Sequence, residues 1–204
     1  MCKICGFLTN LCEINNIRYH ICPNCGFLSK DEQHFLTSEL EFERYKQHDN
    51  NNEGYFTYLF NVYESISNYV EGRVLDFGCG ESHYLANIIS DKGYVCDYYD
   101  LYFFPNESYL NNVYNTIIMS EVIEHLADPL IELKKLVDLL DSNGKLIIKT
   151  FLLKDNISLK SWWYLRDSTH ISFFTYKSFL KICELFSLEV IYCNDKDLII
   201  LKKV

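Results

Sequence analysis

Val74-Leu75-Asp76-Phe77-Gly78-Cys79-Gly80-Glu81-Ser82 decides the fold. An apolar strand runs directly into two glycines spaced by one residue and then into a helix. Gly78 permits a turn that a Cβ would obstruct, and Gly80 lets a ligand lie against bare backbone at a helix N-terminus. Such a site also requires an acid about 20 residues on, at the end of the second strand, to accept hydrogen bonds from ribose hydroxyls. Asp100 stands 20 residues after Gly80. Asp97 competes for the role, but inside the strand it would point into the layers of the sheet, and Asp100 is preferred.

Upstream, Tyr55, Leu59, Val62, Tyr63, Ile66 and Val70 follow helical spacing, and the helix ends near Gly72. Downstream, a helix is expected over Ser82 to Asp91, closed by Gly93, then strands over Tyr94 to Tyr99 and Thr116 to Ser120. Pro129 to Leu140 reads as a helix, Gly144 as a turn and Lys145 to Thr150 as a strand. Thr175 caps a last helix through Phe186, ahead of strands near Glu189 to Cys193 and Leu198 to Leu201. Alternating strands and helices predict an α/β fold with a doubly wound, mostly parallel sheet and an antiparallel last strand.

These motifs resemble those of the class I, Rossmann-like S-adenosylmethionine-dependent methyltransferases, over roughly residues 55–204. Thr116-Ile117-Ile118-Met119-Ser120-Glu121-Val122-Ile123-Glu124-His125-Leu126-Ala127-Asp128-Pro129 resembles the family's fourth strand and its Glu-His-Leu-x-Asp-Pro continuation. Asn143 to Ile148 and His170 to Thr175 also fit. The resemblance implies S-adenosylmethionine as cofactor and a seven-stranded type of sheet. It implies that Asp76 orders the loop around the methionine moiety, that Phe77, Gly78, Cys79 and Gly80 line it, and that Asp100 takes the ribose. Ser120 and Glu121 follow at the end of the fourth strand. A nicotinamide dinucleotide is the weaker reading, because His83 occupies the position of a third glycine. Only 15 residues separate Asp100 from Thr116, so the third-strand region is abbreviated. Leu101, Tyr102 or Phe103 are the candidates to sandwich adenine instead.

The N-terminus repeats a unit, Cys2-Lys3-Ile4-Cys5-Gly6-Phe7-Leu8 and Cys22-Pro23-Asn24-Cys25-Gly26-Phe27-Leu28. Two Cys-x-x-Cys pairs separated by 16 residues suit a four-cysteine zinc site. With Cys2, Cys5, Cys22 and Cys25 all thiolate, the metal is expected to be structural Zn2+, folding a module too small to hold itself together. Zinc-ribbon extensions of similar arrangement precede this fold in bacterial sugar C-methyltransferases and a ribosomal RNA guanine methyltransferase. The expected organisation is a zinc-ribbon module over 1–30, a polar linker or lid over 31–54 and the methyltransferase domain over 55–204.

Both His125, after strand four, and His170, before the last helix, are expected at the carboxyl edge of the sheet, where a general base would act. His125 has a second reading as a brace for its loop, and Asp167 is close enough in sequence to orient His170. Trp162, Trp163, Arg166 and Asp167 form a candidate acceptor-recognition segment, with the tryptophans as a stacking wall and Arg166 as an anion handle. Core packing of one tryptophan is the competing reading. Tyr45 to Tyr55 is a candidate lid, with Tyr55 facing the acceptor, and a solvated linker is the alternative.

A net charge of -9 would repel a phosphate backbone, which argues against nucleic acid. No apolar run approaches a membrane span and the start lacks a secretory leader, so a cytoplasmic protein is expected. The expected activity is methyl transfer to a small-molecule acceptor at oxygen or carbon. Two alternatives stand beside it: an RNA methyltransferase guided by the zinc module, and a non-catalytic S-adenosylmethionine-binding protein that holds a protein partner through that module.

Overall fold

A computed structural model describes residues 1–47 and 52–204. The N-terminal hairpin β1 (Asn10–Ile14) and β2 (Ile17–Ile21) is followed by β3 (Leu28–Lys30), then α1 (Ser38–Lys46) and α2 (Glu53–Ile66). Then come β4 (Arg73–Phe77), α3 (Tyr84–Asp91), β5 (Val95–Tyr99), β6 (Tyr114–Ser120), α4 (Pro129–Leu139) and β7 (Leu140–Lys149). The chain closes with β8 (Ser172–Phe173), α5 (Tyr176–Phe186), β9 (Leu188–Cys193) and β10 (Leu198–Lys203).

Six strands form the main sheet in the order β5-β4-β6-β7-β10-β9. The four from β5 to β7 are parallel, and β10 runs antiparallel to both its neighbours. This is the expected mostly parallel α/β sheet. Alternation along each strand sorts its apolar residues between two faces. Val74, Ile118, Ile147 and Ile200 pack with Leu59, Val62 and Ile66 of α2 and Leu85 and Ile89 of α3. Leu75, Ile117, Leu146 and Ile199 pack on the other side with Leu133 and Leu136 of α4 and Phe179 and Ile182 of α5. No helix among the described residues is long and apolar enough to cross a membrane.

Strand β5 is the sheet edge, so the third strand of a seven-stranded arrangement is missing, as the short segment after Asp100 implies. Two local expectations are corrected. Helix α3 begins at Tyr84 rather than Ser82, because His83 takes a left-handed conformation (φ 40°) that prolongs the turn. Asn143 rather than Gly144 adopts positive φ (64°), inside β7 at the register shift between Leu140 and Lys145, a conformation that asparagine tolerates.

The N-terminal module is continuous with the rest. β3 pairs with β8, giving a second sheet β1-β2-β3-β8. Phe27 packs on Phe174 at 5.0 Å, the Thr175 hydroxyl donates to the Cys25 carbonyl at 2.6 Å, and buried Lys30 donates to the Ser168 carbonyl at 2.8 Å.

Candidate active site

One cavity of about 760 Å³ opens at the carboxyl edge of β4, β5 and β6. Every residue expected to bind the cofactor lines it: Asp76, Phe77, Gly78, Cys79, Gly80, Asp100, Leu101, Tyr102, Ser120 and Glu121. His125, His170 and Tyr55 line it as well.

The glycine turn is built as its chemistry requires. Gly78 has φ 81°, and a Cβ there would lie 2.4 Å from Val122 Cγ2. Gly80 has φ 67° with nothing within 4 Å of where a Cβ would stand, so its backbone is a bare cradle. The Asp100 carboxylate ties the two loops together, accepting from the Gly80 amide at 3.0 Å and from the Tyr102 and Phe103 amides at 2.9 and 3.1 Å. Asp97 serves the scaffold instead. It accepts from the Arg73 guanidinium at 2.8 and 3.0 Å and from the Tyr114 hydroxyl at 2.7 Å. Asp97→Ala is therefore expected to lower stability by about 1–2 kcal/mol, discounted for the pair's partial exposure. Chemical denaturation measures that loss, and ligand affinity at the cavity is expected to stay unchanged.

Asp76 is buried at the end of β4, with Oδ2 lacking a hydrogen-bond partner. Burial pushes its carboxyl up to about 7 against the pull of the Ala86 amide, and the Asp100 charge adds to the rise. An orphaned, desolvated acid facing a cavity fits a cationic ligand, which would favour its ionised form. Burial pushes the Cys79 thiol far above its ordinary range, which suits a filler and not a nucleophile.

At the other end, Glu124 has no exposed surface. Burial, together with the nearby Glu121 charge, raises its carboxyl well above the ordinary range. The Tyr164 hydroxyl donates to Glu124 Oε1 at 2.5 Å and lies 3.4 Å from Glu121 Oε2. Glu121 carries a positive φ of 55°, a strained conformation for a non-glycine residue at the end of β6. The His125 and His170 rings stand 4.8 Å apart.

Helix α1 roofs this region. Glu41 accepts from the hydroxyls of Tyr45 and Tyr102, both at 2.8 Å, Phe42 stacks on Tyr102 at 5.3 Å, and Tyr45 meets His125 edge-on at 5.5 Å. Of the Tyr45 to Tyr55 stretch, residues 48–51 lie outside the described residues. Glu41, Tyr58, Glu124 and Tyr164 went unassigned from sequence; Glu124 lay inside the quoted Glu-His-Leu motif.

The expected acceptor segment stands apart from the lining. Trp162 is 8% exposed and packs on Tyr164 and Phe173, in the cluster that joins β8 to the N-terminal sheet. Trp163 is 54% exposed against Phe151, and Arg166 faces solvent. Asp167 accepts from Arg44 of α1 at 3.0 Å and from the Thr169 hydroxyl, so it anchors the roof. The His170 Nδ1 lies 2.9 Å from the Tyr164 carbonyl.

The four cysteines form a separate centre. Cys2 and Cys25 sulfurs are 3.6 Å apart, Cys5 and Cys22 sulfurs 3.5 Å, and all four lie within 4.8 Å of one another. The two knuckles repeat each other: the Gly6 and Gly26 amides donate to the Cys2 and Cys22 carbonyls, and both glycines have positive φ.

Residues 52–192, more than half of the chain, match the model of a family described as a methyltransferase domain. No curated protein matches the chain. Among solved structures, it is similar to an O-methyltransferase family protein from Burkholderia thailandensis (TM-score 0.56, 10% identity, 80% of this chain and 62% of that one). It is also similar to LaPhzM (TM-score 0.55, 14% identity, 85% and 64%) and to magnesium protoporphyrin IX methyltransferase from Synechocystis PCC 6803 with bound SAH (TM-score 0.55, 14% identity, 84% and 97%). At these identities the likeness is one of fold. The chain spans less than two thirds of the first two proteins.

Proposed function

We propose that the chain, which belongs to the methyltransferase-domain family, is an S-adenosylmethionine-dependent enzyme that methylates a small-molecule acceptor at oxygen or carbon. The observation that carries this reading is a cavity that joins a cofactor cradle at Asp76 to Gly80 and Asp100 to a second polar end at Glu121, His125 and His170. S-adenosylmethionine, when bound, supplies a methyl group on a sulfonium, already a good leaving group. What remains for the protein is to position the acceptor, exclude water and handle one proton.

In this reading Gly78 and Gly80 give backbone access, Asp100 meets the ribose, and Asp76 carries the charge beside the cationic methionine end. Tyr55 and the α1 roof of Glu41 and Tyr45 close the acceptor side. The acceptor's proton leaves at the end where His125 and His170 stand. The test is incubation with S-adenosylmethionine and a panel of hydroxylated acceptors, reading S-adenosylhomocysteine formation and acceptor mass. Turnover with a hydroxylated acceptor supports the reading; release of S-adenosylhomocysteine only with RNA would overturn it.

Asp76 makes cofactor binding pH-dependent. A cationic ligand selects the ionised carboxylate, so affinity is expected to rise with pH through about 7, with protons released on binding. Calorimetry in buffers of different ionisation enthalpy reads the release, and Asp76→Asn should flatten the profile. The sign for stability is opposite. The folded, ligand-free state holds a proton that the unfolded chain has lost, so this group's contribution declines as pH rises from the ordinary carboxylate range to about 7.

The four cysteines are proposed to hold one structural Zn2+. Sulfurs about 2.3 Å from a tetrahedral ion stand about 3.8 Å apart, close to the spacings between Cys2 and Cys25 and between Cys5 and Cys22. With four thiolates, no position is left for water activation.

A further inference from the structure

We propose that Glu124, His125 and His170 form a second metal site, separate from the cysteine centre, that holds a first-row divalent cation at the acceptor end of the cavity. One ligand-capable atom from each of the three lies within 4.8 Å of the other two. His125 and His170 both line the cavity. The three residues come from two chain segments brought together at one place: Glu124 and His125 follow β6, and His170 precedes β8.

The surrounding contacts prepare these side chains as ligands. Nδ1 of His125 lies 3.1 Å from the Thr169 carbonyl, and Nδ1 of His170 lies 2.9 Å from the Tyr164 carbonyl. A carbonyl only accepts, so each Nδ1 carries hydrogen, and in the neutral imidazole the lone pair then sits on Nε2. An outer-shell backbone acceptor that fixes the tautomer is the usual support of a metal-bound histidine. The Glu124 carboxylate is held through Oε1 by Tyr164, while Oε2 is buried with no hydrogen-bond partner. An unmet acceptor with no exposed surface is costly unless a proton or a cation meets it. Among the described residues no lysine or arginine forms an ion pair with Glu124; Lys149 instead meets Asp197 at 2.8 Å and Glu121 at 3.7 Å.

Two imidazoles and a carboxylate suit Mn2+, Fe2+ or Zn2+ better than Mg2+ or Ca2+, which prefer all-oxygen sets. Three protein ligands leave coordination positions for an acceptor oxygen entering from the cavity. A cation here lowers the pKa of that hydroxyl, whose proton passes to water while the oxyanion stays on the metal. This role rests on the methyl-transfer reading; the site itself does not.

The test uses the full chain with zinc in its cysteine centre and titrates Mn2+, followed by electron paramagnetic resonance and calorimetry. One Mn2+ per chain, displaced by Zn2+, is the expected result. His170→Ala and Glu124→Gln should each weaken it by more than the 10- to 100-fold typical of outer-shell changes, with the cysteine zinc retained. Should Glu124→Gln fail to fold, His125→Ala and His170→Ala carry the comparison. No Mn2+ or second Zn2+ on the folded protein, or binding undiminished in the histidine variants, would overturn the proposal. The two readings separate cleanly. Mn2+ binding without methyl transfer to any acceptor leaves the site standing and removes its role, whereas chelator-resistant transfer by protein that binds no second cation removes the site alone.

Discussion

Gly80→Val is expected to weaken S-adenosylmethionine binding by about 100-fold or more while the protein keeps its fold and the metal proposed at its four cysteines. At φ 67° a β-branched side chain sits in a conformation that costs about 1–3 kcal/mol. Nothing lies within 4 Å of the added Cβ, so the ligand-free chain has room for it. The valine methyls then occupy the cradle in which the proposed ligand would rest on bare backbone. Asp100→Ala should act in the same direction for a different reason, since it frees three loop amides at once and removes the proposed ribose acceptor. Calorimetric titration against both variants, with metal analysis alongside, distinguishes a lost cofactor site from a lost fold. Asp97→Ala is the control that perturbs the scaffold contacts to Arg73 and Tyr114 outside the cavity lining.

Cys22→Ser is expected to release the metal and to destabilise more than the first 30 residues. Structural zinc contributes several kcal/mol or more to modules of this size. Here the cost spreads, because Cys2, Cys22 and Cys25 lie in the same core cluster as Phe174 and Phe179, and β3 is hydrogen-bonded to β8. The segment immediately before β8 carries Asp167 and His170. A zinc-free chain should therefore melt at a lower temperature and also bind S-adenosylmethionine more weakly. Thermal unfolding with and without a strong chelator checks the first, and titration of the stripped protein checks the second. Unchanged cofactor affinity in a zinc-free, folded chain would show that the module is independent of the site.

The parts of this architecture legible in sequence are those whose physics is local. The Gly78 and Gly80 turn, the cap at Thr175 and the paired knuckles around Gly6 and Gly26 each depend on a few neighbouring residues, and each appears as read. What stayed hidden depends on partners distant in sequence. Helix α1 is polar and weakly amphipathic, and Tyr102, Phe103, His125 and Asp167 give it a place over the cavity. The tryptophan pair shows the same limit: Phe173 decides that Trp162 is core. Glu124 was visible within a motif, yet its burial and its bond to Tyr164, 40 residues on, were not.

The central claim is a cofactor cavity at the carboxyl edge of β4, β5 and β6, and its most direct test is calorimetric titration of the zinc-loaded chain with S-adenosylmethionine, S-adenosylhomocysteine and NAD. Micromolar binding of the first two at one site per chain, with NAD inert, is the predicted result. A folded, zinc-loaded chain that binds neither, or that binds NAD in their place, would contradict it.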